Sequence, residues 1–279
     1  MRIAATRPLP GPAWNELDDV VVGDRPDAEI LILMNEPIEF DAYPDLRLVA
    51  NFSVGYDGID IEECRRRGIA VTNTPGVLDA ATADLAFGLM LAARRGIVEG
   101  DRTIRSGGWK LPGPGREVTG ATLAIVGLGR IGSALARRGE AFDMRVLGVS
   151  SREGDLDAAL READIVSVHV PLNDATRGLI SRERLAMLRD GATFVNTARG
   201  AVADEEALVD ELVSGRITAG LDVFVHEPHV PERLLGLPNV VLTPHIASAT
   251  SETRAAMTRI VVDNVLAFER GEPLLTPIT

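Results

Sequence analysis

Short β-branched and apolar runs alternate along the chain with stretches of helical period, the pattern of parallel βαβ units. In the first part this spacing predicts strands at 2–5, 29–34, 47–51 and 70–72, and a helix at 61–67 stopped by Gly68. A long helix over 81–95 is apolar on more than one face, so it should be buried against several elements. Residues 105–120, RSGGWKLPGPGREVTG, are too rich in Gly and Pro for a helix or inner strand and read as a connection. A more regular series follows: strand 122–126, a helix from Arg130, strand 145–149, helix 156–161 and strand 165–170. It continues with helix 182–188, strand 193–196, helix 205–213, and strands 218–223 and 240–243. Joined by right-handed crossovers, these make a doubly wound parallel sheet. A helix over 251–270 ends the pattern.

Composition then removes several kinds of chemistry. Among 279 residues, 29 Lys and Arg stand against 41 Asp and Glu, a net charge of −12, whereas a phosphate-tracking nucleic-acid binder needs basic surface. Cys64 is the only cysteine, which excludes disulfides, four-cysteine zinc sites and iron–sulfur clusters, and points to a reducing, cytoplasmic compartment. Lys110 is the only lysine, and its surroundings match neither a phosphate loop nor a Schiff base. The longest apolar run, 85–93, is about half a membrane span of roughly 20 residues, and no export segment follows the N-terminal arginine. Any imidazole chemistry falls to His169, His226, His229 or His245.

The segment TLAIVGLGRIGSALARR sets Gly127, Gly129 and Gly132 in G-x-G-x-x-G order between a strand and a helix. In that context the glycines serve a tight turn, close approach to a pyrophosphate and close helix packing, with Arg130 and Ile131 opening the helix toward the phosphates. An NAD site places a carboxylate about 20 positions on. Here the strand ends in Ser150, Ser151 and Arg152, with no acid at its end, and a guanidinium suits a 2′-phosphate. This predicts NADP(H) in preference to NAD(H), although Arg152 also reads as a solvated arginine beside Glu153.

Three residues fall just past expected strand ends: Arg199 in NTARG, Glu227 in LDVFVHEP and His245 in TPHIAS. Such positions line the ligand crevice of a parallel sheet. An arginine grips a carboxylate and polarises the adjacent carbonyl, a histidine delivers a proton, and a carboxylate steadies the imidazolium. Together they fit reduction of a 2-oxo acid; singly, each also reads as a surface arginine, a loop acid or a core histidine. The H-E-P-H run at 226–229 lacks the i, i+4 spacing of a helical zinc site, so no metal is expected. His169, inside an apolar strand, is expected beside the cofactor or in the core.

These motifs, with NFSVGYDGID, GIAVTNTPGVL, TADLAFGLMLAARR and RSGGW, resemble the D-isomer-specific 2-hydroxyacid dehydrogenases, and within them the NADP-dependent glyoxylate and hydroxypyruvate reductases. The resemblance runs from Leu46 onward. It implies a Rossmann cofactor domain at 78–254 and a smaller flavodoxin-like substrate domain built from both chain ends, 1–77 and 255–279, shortened before Asn51. It implies that Ser53, Val54 and Gly55 offer backbone N–H groups to the substrate carboxylate, and that Arg199, Glu227 and His245 form the catalytic set. Thr82, His169, Val170, Pro171, Thr176, Thr197, Ala198 and Asp222 become cofactor contacts, and Trp109 the aromatic that reaches a neighbouring subunit's substrate site in a homodimer. Two other outcomes stay open: an NAD-dependent enzyme for a bulkier 2-oxo acid, and a corepressor-like protein that senses the cofactor.

Overall fold

The computed structural model describes residues 1–109, 113–150 and 154–279. The chain divides into two compact units, one of Met1–Leu78 with Ser248–Thr279 and one of Asp79–Ala247. The division after Ala247 falls ahead of the helix that the expected boundary at 254 would have cut. Among the described residues no helix is long and apolar enough to cross a membrane.

The smaller unit holds β1 (Ile3–Ala5), β2 (Val20–Val22), β3 (Ile30–Leu33), β4 (Leu48–Asn51), α1 (Ile61–Arg67) and β5 (Ala70–Thr72). The strands pair in parallel in the order β2-β1-β3-β4-β5, the flavodoxin-like arrangement. Every residue of β1, β3 and β4 is buried, as expected where a parallel sheet is covered on both faces. Helix α1 starts on an Asp60 side chain that accepts from the Glu63 N–H, and ends on Gly68 at φ 70°. The sequence pattern missed β2, because three half-exposed valines at a sheet edge carry no alternation to detect.

Chain end meets chain start in this unit through buried polar contacts. Asn264 accepts from the Leu275 and Thr276 N–H groups while its own amide donates to Ile260 O and Thr276 Oγ1. The tail is thereby laid against β5, where Thr276 Oγ1 donates to Asn73 O at 2.6 Å and the Ile278 N–H to Val71 O at 2.8 Å.

The larger unit contains α2 (Asp79–Arg95), α3 (Ile97–Arg105), β6 (Thr122–Val126), α4 (Arg130–Ala141), β7 (Arg145–Val149), α5 (Leu156–Glu162) and β8 (Ile165–Val168). Then come α6 (Arg182–Ala186), β9 (Thr193–Asn196), α7 (Glu205–Val213), β10 (Thr218–Leu221) and β11 (Val240–Leu242), while α8 (Ser251–Glu269) belongs to the smaller unit. The sheet is parallel throughout, in the order β11-β10-β9-β8-β6-β7. Strand alternation feeds two cores: Leu123 and Ile125 face the cluster around Phe87, Met90 and Leu135, and Ala124 and Val126 the one around Leu160, Phe194 and Leu212. Covered on both faces, this is the doubly wound sheet that the pattern predicted.

Some boundaries shift. Strand β8 ends at Val168 and β10 at Leu221, so His169 and Asp222 stand just past their strands rather than within them. Helix α3 was not expected; left-handed Gly96 separates it from α2, and none of its residues is buried.

Candidate active site

Each glycine of the 127–132 loop meets a different surrounding. Gly127 has φ +106°, and a Cβ there would come within 2.8 Å of the His169 carbonyl. At Gly132 a Cβ would lie 2.0 Å from Gly127 O, so that helix α4 can approach its strand only without one. A Cβ on Gly129 would meet nothing within 4 Å, and Gly129 is the cap of α4 with no capping side chain and no acid in the first turn. The result is an open cradle facing the positive end of a helix dipole, which fits a pyrophosphate. Arg130, the first helical residue, pairs through Nε with Asp79 Oδ2 at 3.3 Å, joining the starts of α2 and α4.

Past the strand ends, other expected cofactor residues follow. Thr197 is buried, and its Oγ1 has no hydrogen-bond partner among the described residues, a buried hydroxyl that a polar ligand group would satisfy. Its neighbour Ala198 donates its N–H to Asn196 Oδ1 at 3.0 Å, and Asn196 Nδ2 donates to Arg199 O at 2.9 Å, which fixes the turn carrying Arg199. The His169 ring lies 2.8 Å from Ser167 Oγ, and burial pushes its pKa down to about 4, so the imidazole is neutral at physiological pH. Thr82 is buried on α2 and Ser150 is half-buried past β7. Thr176, expected as a cofactor contact, donates its hydroxyl to Pro171 O at 2.5 Å and closes the 171–176 turn. Ser151 and Arg152 lie outside the described residues.

The nucleus of the site is a hydrogen bond: His245 Nδ1 and Glu227 Oε2 are 2.7 Å apart, while Nε2 of that ring has no partner among the described residues. Glu227 Oε1 accepts from the Phe224 N–H at 3.0 Å. Burial works against the charge on Glu227, but hydrogen bonds from His245 and Phe224 and the positive charges of His245 and Arg199 outweigh it. The carboxyl therefore stays ionised below its usual range.

Asp222 holds the turn in place. This fully buried carboxylate accepts from Thr243 Oγ1 at 2.6 Å and from the Ile246 and Ala247 N–H groups at 2.8 and 2.9 Å, and its backbone oxygen accepts from the His245 N–H. Burial raises its pKa, against the pull of those three donors. His245 itself sits at φ +53°, a conformation that a non-glycine residue holds only when its surroundings impose it. Two of the residues that build this arrangement, Thr243 and Gly200, lie inside the TPHIAS and NTARG motifs but were not singled out from the sequence as functional positions. Gly200 lies so close to the Phe224–Val225 backbone that a Cβ would come within 2.2 Å of the Phe224 carbonyl carbon, which brings the Arg199 and Glu227 loops together.

In the smaller unit the Ser53–Gly55 loop is tied back through its carbonyls. Ser53 O accepts from the Thr74 N–H at 3.0 Å, Val54 O from Asn73 Nδ2 at 2.9 Å and Gly55 O from Asn51 Nδ2 at 2.8 Å. No acceptor for the three N–H groups is found among the described residues. Such a row of free amides suits a carboxylate. Neither Asn51 nor Asn73 stood out in the sequence as a functional position.

Against known proteins, the description "D-isomer specific 2-hydroxyacid dehydrogenase, NAD binding domain" matches residues 87–247. The glyoxylate reductase of Korarchaeum cryptofilum is 47% identical over 276 residues, covering 91% of this chain and 83% of that one. The chain belongs to the D-isomer specific 2-hydroxyacid dehydrogenases. Among solved structures of this fold, a Thermus thermophilus protein superimposes with a TM-score of 0.92 at 41% identity, each chain covered in full. The NADPH-dependent glyoxylate/hydroxypyruvate reductase of Sinorhizobium meliloti, in complex with NADP and malonate, gives 0.89 at 36% identity, covering 100% and 96%. Membership makes this an NAD(P)-dependent oxidoreductase, and the glycine cradle and orphaned Thr197 hydroxyl fit that cofactor.

Two measurements test the local readings. Gly132→Ala should lower the melting temperature and abolish cofactor binding, whereas Gly129→Ala should melt like the parent and bind cofactor roughly 10-fold more weakly; equal melting of both contradicts the packing account. Because a neutral His169 folds while its unfolded counterpart protonates below about 6.5, stability is complete above that pH and falls toward pH 4. The slope approaches about 1.4 kcal/mol per pH unit. Urea unfolding of His169→Gln should show a shallower slope than the parent.

Proposed function

We propose that this chain reduces small 2-oxo acids such as glyoxylate and hydroxypyruvate to D-2-hydroxy acids, with NADPH as the preferred reductant. The observation that carries the reading is the 2.7 Å contact of His245 Nδ1 with Glu227, which leaves Nε2 available. Identity of 47% to a glyoxylate reductase supports the substrate class. When bound, the reduced nicotinamide supplies a hydride to the carbonyl carbon.

The protein's share is charge and proton placement. The Ser53, Val54 and Gly55 N–H groups take the substrate carboxylate. Arg199 binds that group and polarises the neighbouring carbonyl through its planar guanidinium. Protonated His245 gives the Nε2 proton to the ketone oxygen, which becomes the hydroxyl of the product, and Glu227 steadies the ring in both states. Asp222 keeps the turn rigid, so the imidazole is presented without a reorganisation cost. Neutral His169, with Val170 and Pro171, lines the adenine side.

Two finer proposals follow. NADPH preference rests on Ser150, Ser151 and Arg152 standing where an NAD site would have an acid. A homodimer rests on α3, which buries none of its residues and leaves Ile97, Ile104 and the following Trp109 exposed, the last at 88%.

His245→Ala should lower kcat by about 10²- to 10⁴-fold with cofactor affinity unchanged. Steady-state assays with glyoxylate, beside a fluorescence titration of NADPH, read both quantities, and full activity in the variant overturns the reading. Parallel assays with NADH should show a clear NADPH preference that Arg152→Ala erodes through a higher KM for NADPH; equal kcat/KM for the two cofactors in the parent contradicts the cofactor proposal.

A further inference from the structure

The turn that carries Glu227 stands clear of the core. Phe224 is its last buried residue, and Val225, His226, Glu227, Pro228 and His229 are all exposed, so burial does little to fix where the carboxylate lies. Beneath the turn, Phe224 borders a small cavity with Leu208, Val209 and Leu234, and close packing does not fix it there either. Two of its hydrogen bonds close it on itself: the Phe224 N–H donates to Glu227 Oε1 at 3.0 Å and the His229 N–H to His226 O at 2.8 Å. Among the described residues, two bonds tie residues 224–229 to the rest of the chain. One is the contact of Glu227 with His245. The other comes from the Val225 N–H, which donates to Glu205 Oε1 at 2.8 Å. A carboxylate held in place by nothing except the bond it has to make is not aimed, and Glu205 is the contact that sets the turn independently of His245.

Glu205 stands on a firm base within the same unit. It is the first residue of α7, where the Asp204 side chain caps the helix by accepting from the Ala207 N–H at 3.0 Å. Helix α7 buries Ala207, Leu208, Val209 and Leu212, and the chain just ahead of it is pinned to Ile180, whose N–H donates to Val202 O and whose carbonyl accepts from the Asp204 N–H, both at 3.0 Å. An acid at this position also favours a helix through the dipole, a purely structural use. Glu206 meets that need as well; it is exposed and lies 3.9 Å from Arg233. Glu205 differs in being half-buried, with no cation within ion-pair distance among the described residues and the Val225 N–H as its partner. A charge-assisted bond to a backbone donor is a strong tether. Gly200 limits how near the turn can come to this segment, and Glu205 holds it there.

We infer that Glu205 is a positioning residue for proton transfer: by holding the Val225 N–H it places the Glu227 turn so that the carboxylate meets the His245 ring. The inference rests on the reductase reading above, which supplies its readout. Without the tether Glu227 spends less time on the imidazole, so turnover falls while the glycine cradle, which Glu205 does not touch, binds cofactor as before.

The test is kcat for glyoxylate, with an NADPH fluorescence titration and thermal melting, in the parent, Glu205→Ala, Glu205→Asp, Glu205→Gln, Glu206→Ala, Glu227→Gln and the double variant Glu205→Ala/Glu227→Gln. Glu205→Ala should lower kcat by roughly 5- to 20-fold, the strength of a charge-assisted hydrogen bond reduced for an exposed donor, with NADPH affinity unchanged. Glu205→Asp keeps the acid at the helix start but falls one methylene short of Val225, and should lose as much. Glu205→Gln keeps an oxygen at the right reach and should stay within about 3-fold of the parent, since a neutral hydrogen bond replaces a charged one. Glu206→Ala should match the parent. Added to Glu227→Gln, Glu205→Ala should cost less than about 2-fold more, because residues that act through one another are not additive. Should Glu205→Ala fail to fold, the aspartate variant decides. Parental kcat in Glu205→Asp overturns the inference, as does a glutamine variant as slow as the alanine one, or a loss that multiplies in full on the Glu227→Gln background. An active parent with any of these results refutes the inference alone; a parent that does not reduce glyoxylate or hydroxypyruvate refutes the reductase reading with it.

Discussion

One short hydrogen bond, from the His245 ring to the Glu227 carboxylate, sets the requirement that the surrounding loops meet. An imidazole can give and take a proton near neutrality only if its other nitrogen is held and its charged state is tolerated. Glu227 does both, and stays ionised because the hydrogen bonds from His245 and the Phe224 N–H, with the charges of His245 and Arg199, outweigh the cost of its own burial. The ring can be aimed only because Asp222, fully buried, closes the turn on both sides of it. A left-handed backbone at a histidine is strain held by those contacts, and the buried carboxylate supplies the restoring force.

The same economy of backbone recurs in the smaller unit. There the Ser53–Gly55 carbonyls are occupied by Asn51, Asn73 and Thr74, while their N–H groups have no acceptor among the described residues. Both units use parallel sheets whose side chains are covered on each face, and both place their chemistry where the strands stop. Strand interiors supply rigidity, strand ends supply polar groups, and the two tasks do not compete for the same positions.

Most of the architecture was legible because period and punctuation agree. Apolar runs bounded by Gly and Pro mark β1, β3, β4 and the strands from β6 onward, and the glycine triplet sits at the one junction where its geometry is needed. Edge strand β2 and helix α3 escaped, since neither has a buried face from which a period could be read. Arg199, Glu227 and His245 were legible as strand-end polar groups whose chemistry fits 2-oxo acid reduction, whereas the roles of the Ser53–Gly55 loop and Trp109 came from resemblance. The supports were not legible: Asp222 as anchor of the His245 turn, Gly200 as the contact between loops, and Asn51 and Asn73 as ties of the amide loop. Each acts through a contact distant in sequence, and no local pattern encodes such a partner.

The most direct trial of the account is a crystal structure of the protein with NADPH and oxamate, an unreactive relative of a 2-oxo acid. Oxamate should be found with its carbonyl oxygen in hydrogen-bond reach of His245 Nε2 and its carboxylate on the Arg199 guanidinium, beside the nicotinamide ring. Oxamate bound away from His245, or an imidazole turned from Glu227 in that complex, would contradict it.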